Sequence, residues 1–416
     1  MKPSDPVAIT ALAVTSPLGN DFDAFCEKLF QGECGIRAIQ GLDLDGLSLR
    51  FAGQLPARPV FQKLSGSDAP YYSELSLMTL DLADRVFASR LGPGKNIDSI
   101  FDPRRVGCVI GSGMLNLHDL EPFYKSFYER GPRAVNPLTV PLNIGSAPTS
   151  RVSIHFGLAG LLNTVTTACA SGLSAIHQAL ESIRSGTQDA VLAGGVELTS
   201  SRTIYTAWER MRALSAEREN PRRACRPFES GRTGLVLGEG GALFLLENFS
   251  AAKKSGAPIL GVSEGSGFSA DHRDMVKPSP EGIGRCLVSA LEDARWTKDE
   301  VGMIQTHGTG TPLNDSAEYE AMEKIWGERM PTLPVSAIKW SLGHSLGASG
   351  ALSLAAALGT LKKGCHYPAP ERAAPDPATP VFLPREGEFV KNRKVLVNAF
   401  AFGGVNHTLA VAPAPD

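Results

Sequence analysis

The chain contains 416 residues, of which 43% are hydrophobic, and its formal net charge is −2. This length is sufficient for two domains or for one large double unit with an extensive core. The near-neutral charge argues against nucleic acid or a membrane surface as the main partner. The N-terminal sequence MKPSDPVAIT lacks the pattern of a signal peptide, and no apolar run approaches the ~20 residues of a membrane-spanning helix. We therefore expect a cytoplasmic protein that is not inserted in a membrane.

The seven cysteines are scattered along the chain, and no two of them form a C-x-x-C pair. An odd, scattered set is typical of a reducing cytosol and argues against a disulfide framework or a zinc site. Nothing in the sequence requires a catalytic metal or a redox cofactor.

Strand-like and helix-like patterns alternate through the chain. Short β-rich runs that end in glycine or other small residues predict strands, and apolar residues at helical spacing predict helices. The alternation favours an α/β protein with a mostly parallel sheet. The predicted strands include residues 106–110, 190–192, 303–305 and 394–397, and the predicted helices include residues 73–88, 173–184, 282–294, 315–326 and 347–361.

The two halves of the sequence show a weak internal symmetry. In the first half, a strand leads to a small-residue turn that carries Cys169, and a helix follows. In the second half, a strand leads to a turn that carries His307, and another helix follows. The polar segment 251–258 is typical of a hinge, so we predict an N-terminal half over residues 1–252 and a C-terminal half over residues 253–416. A single doubly wound sheet with insertions is the alternative.

The sequence TTACASG at residues 166–172 places Cys169 between a β-branched run and a helical pattern. Free backbone N–H groups and the helix dipole at such a helix N-terminus stabilise negative charge, which favours the thiolate. Because the thiolate is the nucleophilic form of cysteine, Cys169 is a candidate nucleophile. A small buried cysteine of the core explains the pattern equally well on its own.

Two histidines have neighbours that suit a pocket. His307 lies in THGTGTPLND and His344 lies in KWSLGHSLGASG, where glycine and hydroxyl residues accompany both at strand-to-helix transitions. A cysteine nucleophile needs such a base or electrostatic partner, together with an oxyanion hole. Near the C-terminus, NAFAFGGVN at residues 398–406 predicts a strand that runs into a glycine turn presenting N–H groups. An ordinary core position for either histidine and an ordinary tight turn remain the alternatives.

Taken together, these motifs resemble the β-ketoacyl-[acyl carrier protein] synthases, a family of acyltransferases. The resemblance rests on TACASG, THGTGTPLND, FGGVN and the segment GLVLGEG at residues 234–240, which occur in the family's order. It also rests on Lys339, five residues before His344. The resemblance covers roughly residues 7 to 412. The histidine positions and the lysine spacing separate the chain from the thiolases and from the initiating synthases.

The resemblance implies the thiolase fold, in which two duplicated α/β halves form a five-layer α-β-α-β-α arrangement, and it implies a dimer. It also implies a reaction, in which Cys169 takes an acyl group from a carrier-protein thioester. Malonyl-carrier protein then loses carbon dioxide, and the resulting carbanion attacks the acyl-cysteine. The product is a fatty acid, polyketide or polyene chain that is two carbons longer. The phosphopantetheine arm arrives on the carrier-protein substrate, so no separate cofactor is expected.

The resemblance also assigns roles to individual residues. The backbone N–H groups of Cys169 and Phe402 form the oxyanion hole. His307 and His344 donate hydrogen bonds to the enolate oxygen that decarboxylation creates. Lys339 acts electrostatically and orders His307. The remaining assignments are Phe400, Phe402 and Gly403 to a gate, Thr309 and Thr311 to the phosphopantetheine arm, Met114 to acyl-chain entry, and Glu318 and Asp315 to structural support.

The chain departs from the family pattern in two places. Elongating synthases of fatty acid synthesis often carry a basic cluster on an N-terminal helix that docks the acidic carrier protein, but the helix predicted at 73–88 carries only Arg85. Ala401 replaces a glycine that is frequent in the gate, which stiffens the loop. These departures suggest a specialised synthase of a polyketide or polyene pathway with its own carrier protein. The remaining candidates for carrier-protein docking are Arg130, Arg133, Arg210, Arg212 and Lys63.

Other functions stay open at this point. The chain is alternatively the active subunit of a ketosynthase/chain-length-factor heterodimer, so its dimer forms either with itself or with a ketosynthase-like partner. Non-catalytic chain-length factors usually lack the cysteine, and the presence of Cys169, His307 and His344 argues against that role. A thiolase-type enzyme that acts on acyl-coenzyme A is disfavoured by the lysine–histidine spacing and by the THGTGT run.

Overall fold

The computed structural model describes residues 6–64, 68, 71–92, 94–368, 376–384 and 393–413. The strands in these ranges are β1 (Val7–Thr15), β2 (Arg37–Ala38), β3 (Phe51–Ala52), β4 (Val106–Gly111), β5 (Leu162–Val165), β6 (Ala190–Glu197), β7 (Gly240–Asn248), β8 (Gly261–Ala270), β9 (Met303–Gln305), β10 (Val335–Ser336), β11 (Val395–Ala401) and β12 (Val405–Ala412).

The α-helices in the same ranges are α1 (Phe22–Phe30), α2 (Glu74–Leu91), α3 (Leu117–Arg130), α4 (Thr139–Asn143), α5 (Ala147–Phe156), α6 (Ser171–Arg184), α7 (Arg202–Arg210), α8 (Phe249–Lys254), α9 (Pro280–Ala294), α10 (Pro312–Trp326), α11 (Lys339–Leu342) and α12 (Ser349–Lys363). Short 3-10 helices occupy Ile97–Ser99, Pro103–Arg105, Pro132–Ala134, Pro221–Arg223, Lys298–Glu300, Gly327–Thr332 and Leu346–Ala348. No helix in the described ranges is both long and apolar enough to cross a bilayer.

Ten strands form one sheet in the order β10-β9-β11-β12-β8-β1-β7-β6-β4-β5. Reading outward from the antiparallel β8–β1 seam, the two halves repeat the same pattern of two antiparallel pairings followed by two parallel ones. The predicted duplication of α/β halves is therefore confirmed. The expectation of a mostly parallel sheet is wrong, because the inner strands β7, β1, β8 and β12 run antiparallel. Strands buried on both faces are continuously apolar whichever way their neighbours run, so the sequence carries no signal for direction there.

The helices lie in three layers around the two halves of the sheet. α2 and α5 cover the outer face of the first half, and α9 and α10 cover the outer face of the second half. α6 from the first half and α12 from the second pack against each other between the two half-sheets. The five-layer α-β-α-β-α arrangement of the thiolase fold is thus present. A central apolar cluster includes both middle helices, and separate clusters fill the two outer interfaces.

The middle helix α12 is buried around its whole circumference from Ser349 to Leu361. Such a helix needs apolar and small residues on every face, and its sequence SGALSLAAALGTL supplies them. Its N-terminal end faces the start of α6, where small residues let the backbones approach closely. An ideal Cβ on Gly172 would lie 2.9 Å from the carbonyl oxygen of Gly347, just ahead of α12. The close contact brings the first turns of the two helices together at one point.

Most predicted elements are present with shifted ends. The strand predicted at 190–192 continues to Glu197, although Gly194 and Gly195 were taken to end it. Gly195 is required for close packing rather than for a turn, because an ideal Cβ there would lie 2.7 Å from the carbonyl oxygen of Gly347. The division between residues 252 and 253 falls within α8, and it stays a prediction.

Candidate active site

Cys169 lies in the turn between β5 and α6, as the sequence predicted. Its neighbour Ala168 has a φ of 47°, which is the left-handed region that side chains rarely adopt. The turn is fixed by Ser171, whose hydroxyl donates to the carbonyl oxygen of Ala168 and accepts from the N–H of Thr167 at 2.9 Å. Beyond this sharp turn, Cys169 lines a mainly apolar cavity.

The environment of the Cys169 thiol differs from the prediction. Burial raises its pKa to about 12, and the nearby Lys339 ammonium and the N–H groups of Cys169 and Phe402 oppose that shift without cancelling it. The expected preference for the thiolate is therefore wrong for the resting site, because the loss of water outweighs the helix terminus. The two N–H groups nevertheless converge on the sulfur from different segments.

His307 and His344 line the same cavity as Cys169. Their ring centroids are 5.2 Å apart, and the ring planes are nearly perpendicular at 79°. Burial lowers the pKa of both histidines well below the ordinary value, and the positive charge of Lys339 adds to that effect. Both rings are therefore neutral at pH 7. The Nδ1 atom of His344 is held at 2.8 Å from the hydroxyl of Ser349.

Lys339 is buried against His307. Its Nζ atom donates to the carbonyl oxygen of His307 and lies 3.4 Å from Nδ1 of the same residue. Burial lowers the pKa of Lys339 to about 8, and the nearby Glu318 carboxylate opposes the shift. Because an ammonium only donates, Nδ1 of His307 must accept, and the ring then carries its proton on Nε2. The arrangement presents an N–H donor of His307 to the cavity.

Two buried carboxylates hold the turn that carries His307. Glu318 accepts from the N–H groups of His307 and Gly308, both at 2.9 Å. Asp315 accepts from the N–H of Thr309 at 3.0 Å and from the N–H of Phe228 at 2.9 Å. Burial raises the pKa of both carboxyl groups, that of Glu318 to about 7. These contacts match the supporting position that the sequence predicted for both residues.

The glycine turn after β11 closes over the cavity. Phe400 lies beside His307, with 6.0 Å between the ring centroids. Phe402 stacks on Trp208 of α7, with 5.8 Å between centroids and 21° between planes. Gly403 has a φ of 82°, and its N–H donates to the carbonyl oxygen of Met275 at 2.8 Å. The gate is therefore tied both to α7 and to the loop after β8.

The cavity has a volume of about 240 Å³ and a mainly apolar lining. Thr309 and Thr311 line it, with their hydroxyl oxygens 2.8 Å apart. Thr311 also accepts from the N–H of Asn314 at 3.3 Å and so caps α10. Around the sulfur, the cavity combines one thiol, two neutral imidazoles and hydroxyl groups, and the amide of Asn314 and the guanidinium of Arg212 also line it. It is suited to a narrow, largely uncharged arm that ends at the sulfur.

The other predicted residues, apart from Arg212, lie outside this cavity. Met114 does not line it and packs instead in the apolar cluster that contains Cys169. Arg212 lines the mouth of the cavity, and Arg210 is exposed at the end of the same helix, α7. The ammonium of Lys63 pairs with Asp84. Arg130 ends α3, and Arg133 lies in the 3-10 helix that follows.

Two residues of the site were missed by the sequence analysis. Trp208 covers the gate, and Glu197 at the end of β6 contacts the turn of Met114. Trp208 follows Ile204 and Tyr205 on a buried helix face, so its pattern matches ordinary core packing. A glutamate at the end of a fully buried strand is the one signal that distinguishes Glu197.

Comparison with known proteins agrees with this geometry. The family model "Beta-ketoacyl synthase, N-terminal domain" matches residues 4–252, and "Beta-ketoacyl synthase, C-terminal domain" matches residues 260–371. The 3-oxoacyl-[acyl-carrier-protein] synthase 2 of Coxiella burnetii is 32% identical over 99% of both chains. The enzyme of the same name from Staphylococcus aureus is 30% identical over 98% of both chains.

Solved structures show the same fold over the full length. The ishigamide ketosynthase/chain length factor has a TM-score of 0.90 and 27% identity, and it covers 99% of this chain and 100% of its own. A β-ketoacyl synthase from Burkholderia phymatum has a TM-score of 0.90 and 28% identity over the same shares. With a cysteine, two histidines and a lysine gathered at one cavity, and with relatives aligned from end to end, the chain belongs to the β-ketoacyl synthase family of acyltransferases.

Proposed function

We propose that this enzyme condenses a malonyl group with an acyl group carried on Cys169, and that both groups arrive on acyl carrier protein. The observation that carries the proposal is the convergence of Cys169, His307 and His344 on one cavity. The N–H groups of Cys169 and Phe402 face the sulfur from two sides, which suits an oxyanion hole. The curated relatives carry the name 3-oxoacyl-[acyl-carrier-protein] synthase, which supports the substrate class.

The first step is acyl transfer. The Cys169 sulfur attacks the thioester carbonyl carbon, and the oxygen of the tetrahedral intermediate accepts from the two N–H groups. The carbon–sulfur bond to the pantetheine arm then breaks, and the departing thiolate takes up the proton that Cys169 loses. Because burial keeps the thiol protonated at rest, a neutral imidazole must relay this proton.

The second step is decarboxylative condensation. The bond between the malonyl carboxylate and its α-carbon breaks, carbon dioxide leaves, and the electron pair forms an enolate. Its oxygen accepts from Nε2–H of His307 and from His344, whose neutral rings donate without adding a full charge. The enolate carbon attacks the acyl carbonyl and the bond to sulfur breaks. The departing Cys169 thiolate then takes up a proton that water supplies through the neutral imidazole.

The carrier protein docks at the mouth of the cavity. Arg212 lines this mouth, and the neighbouring Arg210 is exposed, so both suit the acidic surface of a carrier protein. Thr309 and Thr311 supply hydroxyls along the channel for the amides of the phosphopantetheine arm. No further cofactor is part of the proposal. We also place the enzyme in the cytoplasm, since all seven of its cysteines are free.

The enzyme works as a dimer through the edge strand β5. β5 ends the ten-stranded sheet, so one side of its backbone has no neighbouring strand in the described chain. Large apolar side chains cluster on the adjoining elements, with Tyr128 79%, Val140 71% and Ile154 73% exposed. An apolar face of this kind next to a free strand edge is typical of a subunit interface.

The partner in that dimer is either a second copy or a ketosynthase-like subunit. A solved neighbour that covers 99% of this chain is a ketosynthase/chain length factor, which supports the second possibility. Helix α2 carries only two basic residues, Arg85 and Arg90. This small number supports a specialised carrier protein. Both of these arginines are engaged, with Asp81 and Glu247 respectively.

Intact-protein mass spectrometry tests the function. The enzyme is incubated with a panel of acyl-carrier proteins and then with malonyl-carrier protein. We expect an acyl mass increase on the wild type that malonyl-carrier protein discharges to a product two carbons longer, and no increase on Cys169→Ala. Cys108→Ala is the matched control, because Cys108 is equally buried but faces the outer cluster of the first half.

His307→Asn separates the two steps. This variant should still be acylated but should discharge the acyl group ~10²–10³ times more slowly, the usual cost of one oxyanion donor. Acylation of Cys169→Ala at the wild-type level would overturn the assignment of the nucleophile. Failure of every carrier protein to acylate the wild type, with the candidate partner subunit present, would overturn the function.

A further inference from the structure

Glu197 is a carboxylate in an unusual place. It ends β6, a strand in which every residue is buried, and its own exposed fraction is 0%. Among the ion pairs of the described residues, none includes Glu197. Buried carboxylates are rare without a cation or a metal, so its partners decide what it does.

Four hydrogen-bond donors satisfy this carboxylate. Oε2 accepts from the N–H of Gly113 at 2.7 Å and from the N–H of Gly347 at 2.9 Å. Oε1 accepts from the hydroxyl of Ser112 at 3.0 Å and from the N–H of Met114 at 3.1 Å. Each oxygen therefore serves two donors, and none of the four comes from the strand of Glu197 itself.

The donors belong to two segments of the active site. Gly113 and Met114 form the turn after β4, beside the apolar cluster of Cys169. Gly347 lies three residues after His344, in the turn that leads into α12. Glu197 thus joins the turn of Met114 to the turn of His344, although the two turns are more than 200 residues apart in sequence.

The nucleophile turn touches the same junction. An ideal Cβ on Gly113 would lie 3.1 Å from the carbonyl oxygen of Ala168 and 3.2 Å from the nitrogen of Gly347. An ideal Cβ on Gly347 would lie only 2.2 Å from the nitrogen of Gly113. The three backbones therefore meet with no room for side chains, and the carboxylate of Glu197 is the group that binds two of them.

The charge of Glu197 also reaches the nucleophile. Its carboxylate raises the pKa of the Cys169 thiol, in the direction opposite to Lys339. Burial raises the pKa of Glu197 itself to about 7, and the four donors oppose that shift. The pKa of the Cys169 thiol therefore depends on the charge of Glu197 at this junction.

We infer that Glu197 is a positioning residue for condensation, which holds the turns of Met114 and His344 in a fixed arrangement around Cys169. The inference rests on the proposed function, in which His344 stabilises the enolate, and on the family resemblance, which assigns Met114 to acyl-chain entry. Glu197 touches neither substrate nor sulfur in this scheme. It acts through the two turns, so its loss affects how the acyl chain and the enolate are placed rather than whether the thiol can be acylated.

Glu197→Gln tests this role with the least change of shape. A glutamine keeps one oxygen but turns the other into an NH₂ group, which faces two N–H or O–H donors and cannot accept from them. Two of the four donors therefore lose their acceptor, either Gly113 with Gly347 or Ser112 with Met114. We expect acylation of Cys169 within about threefold of the wild type, and condensation slower by on the order of 10- to 100-fold, as for a small misplacement. The range of accepted acyl chain lengths should widen.

Alkylation of Cys169 by iodoacetamide gives a second readout that needs no turnover. Removing the negative charge should move the pH profile of alkylation to lower pH in Glu197→Gln. Glu247→Gln is the matched control, since Glu247 is equally buried but bonds Arg90 and Thr10 far from the cavity. If Glu197→Gln does not fold, Ser112→Ala removes one donor while keeping the charge, and it should widen the chain-length range without moving the alkylation profile.

The outcomes separate this inference from the proposed function. A wild type that condenses, with Glu197→Gln matching it in condensation, chain-length range and alkylation profile, overturns the inference and leaves the function intact. Equal loss of acylation and condensation in proportion to the folded fraction also overturns it. A wild type that does not condense overturns the function, and an unmoved alkylation profile in Glu197→Gln would then overturn the inference as well.

Discussion

At the residue scale, the site works by balancing burial against charge. Burial raises the pKa of Cys169 and lowers the pKa of both histidines, so the resting cavity contains neutral groups. The exception is Lys339, whose charge is kept near the cavity although its pKa falls to about 8. A neutral imidazole held by a cation is a good donor to a developing enolate, because it does not need to give up its proton.

The protonation state of Lys339 predicts an alkaline limb in the pH profile of decarboxylation, where the rate falls as pH rises. The ammonium is charged below a pH of about 8 and loses its proton above it, so the hold on His307 weakens as pH rises. We expect malonyl decarboxylation to decline above pH 8 in the wild type. Lys339→Met should be slower and should lack this limb.

The measurement is carbon dioxide release at fixed carrier-protein concentration between pH 6.5 and 9.5, a span of about 1.5 units on either side of the Lys339 pKa. Lys324→Met serves as a control, since Lys324 is an exposed lysine paired with Glu320 on α10. An unchanged alkaline limb in Lys339→Met would show that another group titrates.

The sequence alone predicted those site residues whose distinguishing neighbours are adjacent to them along the chain. Glycine and hydroxyl neighbours, which indicate a turn, flank Cys169, His307 and His344. Trp208 and Glu197 act on segments more than 80 residues away along the chain, on the gate and the Met114 turn respectively, so nothing adjacent to them marks the contact. The predicted thiolate state of Cys169 was wrong, because the burial that raises the pKa of its thiol depends on the complete fold.

At the element scale, glycines decide how closely helices approach the sheet. α9 covers β8, and Gly267 of β8 faces it, where an ideal Cβ would lie 2.2 Å from the carbonyl oxygen of Cys286. By contrast, Gly284 of α9 has nothing within 4 Å of its ideal Cβ. The two glycines therefore differ in function although both belong to one helix–strand pair.

This contrast predicts opposite effects of one substitution. Gly267→Ala should lower the free energy of unfolding by about 1–3 kcal/mol, because the methyl group overlaps backbone that cannot move aside. Gly284→Ala should raise it by about 0.5–1 kcal/mol, because alanine is the better helix former. Urea unfolding followed by circular dichroism measures both variants. Equal midpoints for the two would contradict the packing argument.

The end of a strand was predicted wrongly where glycine can either end a strand or allow close packing within it. The pattern predicts a strand that ends before Gly194 and Gly195, but both glycines lie within β6. Gly195 marks the place where Gly347 and the start of α6 approach the sheet, and an ideal Cβ on Gly194 would lie 2.1 Å from the carbonyl oxygen of Ala242 in β7. The helices were predicted more accurately than the strands, because the periodicity of their apolar residues extends over several turns. Ser73 is an example, since it caps α2 by accepting from the N–H of Ser76 at 3.2 Å.

At the scale of the whole molecule, the duplicated sheet leaves two unequal edges. The edge at β10 is short, with two residues, and β5 at the other edge adjoins exposed apolar side chains. The difference supports the proposed subunit interface at β5. The sequence could not show this, because strand order and edge position depend on how distant segments pair.

The interface predicts a monomeric variant. Leu162→Asp in β5, whose leucine is 44% exposed, should convert the dimer to a monomer, because the carboxylate would be buried without a partner. Val288→Asp is the matched control, since that valine is 41% exposed on the outer helix α9. Sedimentation velocity measures both. A dimer of Leu162→Asp as tight as the wild type would place the interface elsewhere.

The seam at the centre of the sheet has a consequence for biosynthesis. β1 leaves the ribosome well before the strands it pairs with, β7 and β8, whose residues follow about 230 to 260 positions later. At ~5–20 residues per second, this strand waits on the order of 10–50 s for its first neighbour. All nine of its residues are buried in the finished fold. The nascent chain therefore carries an apolar, unpaired strand until β7 is synthesised, and chaperone capture of that segment would govern the yield of active enzyme.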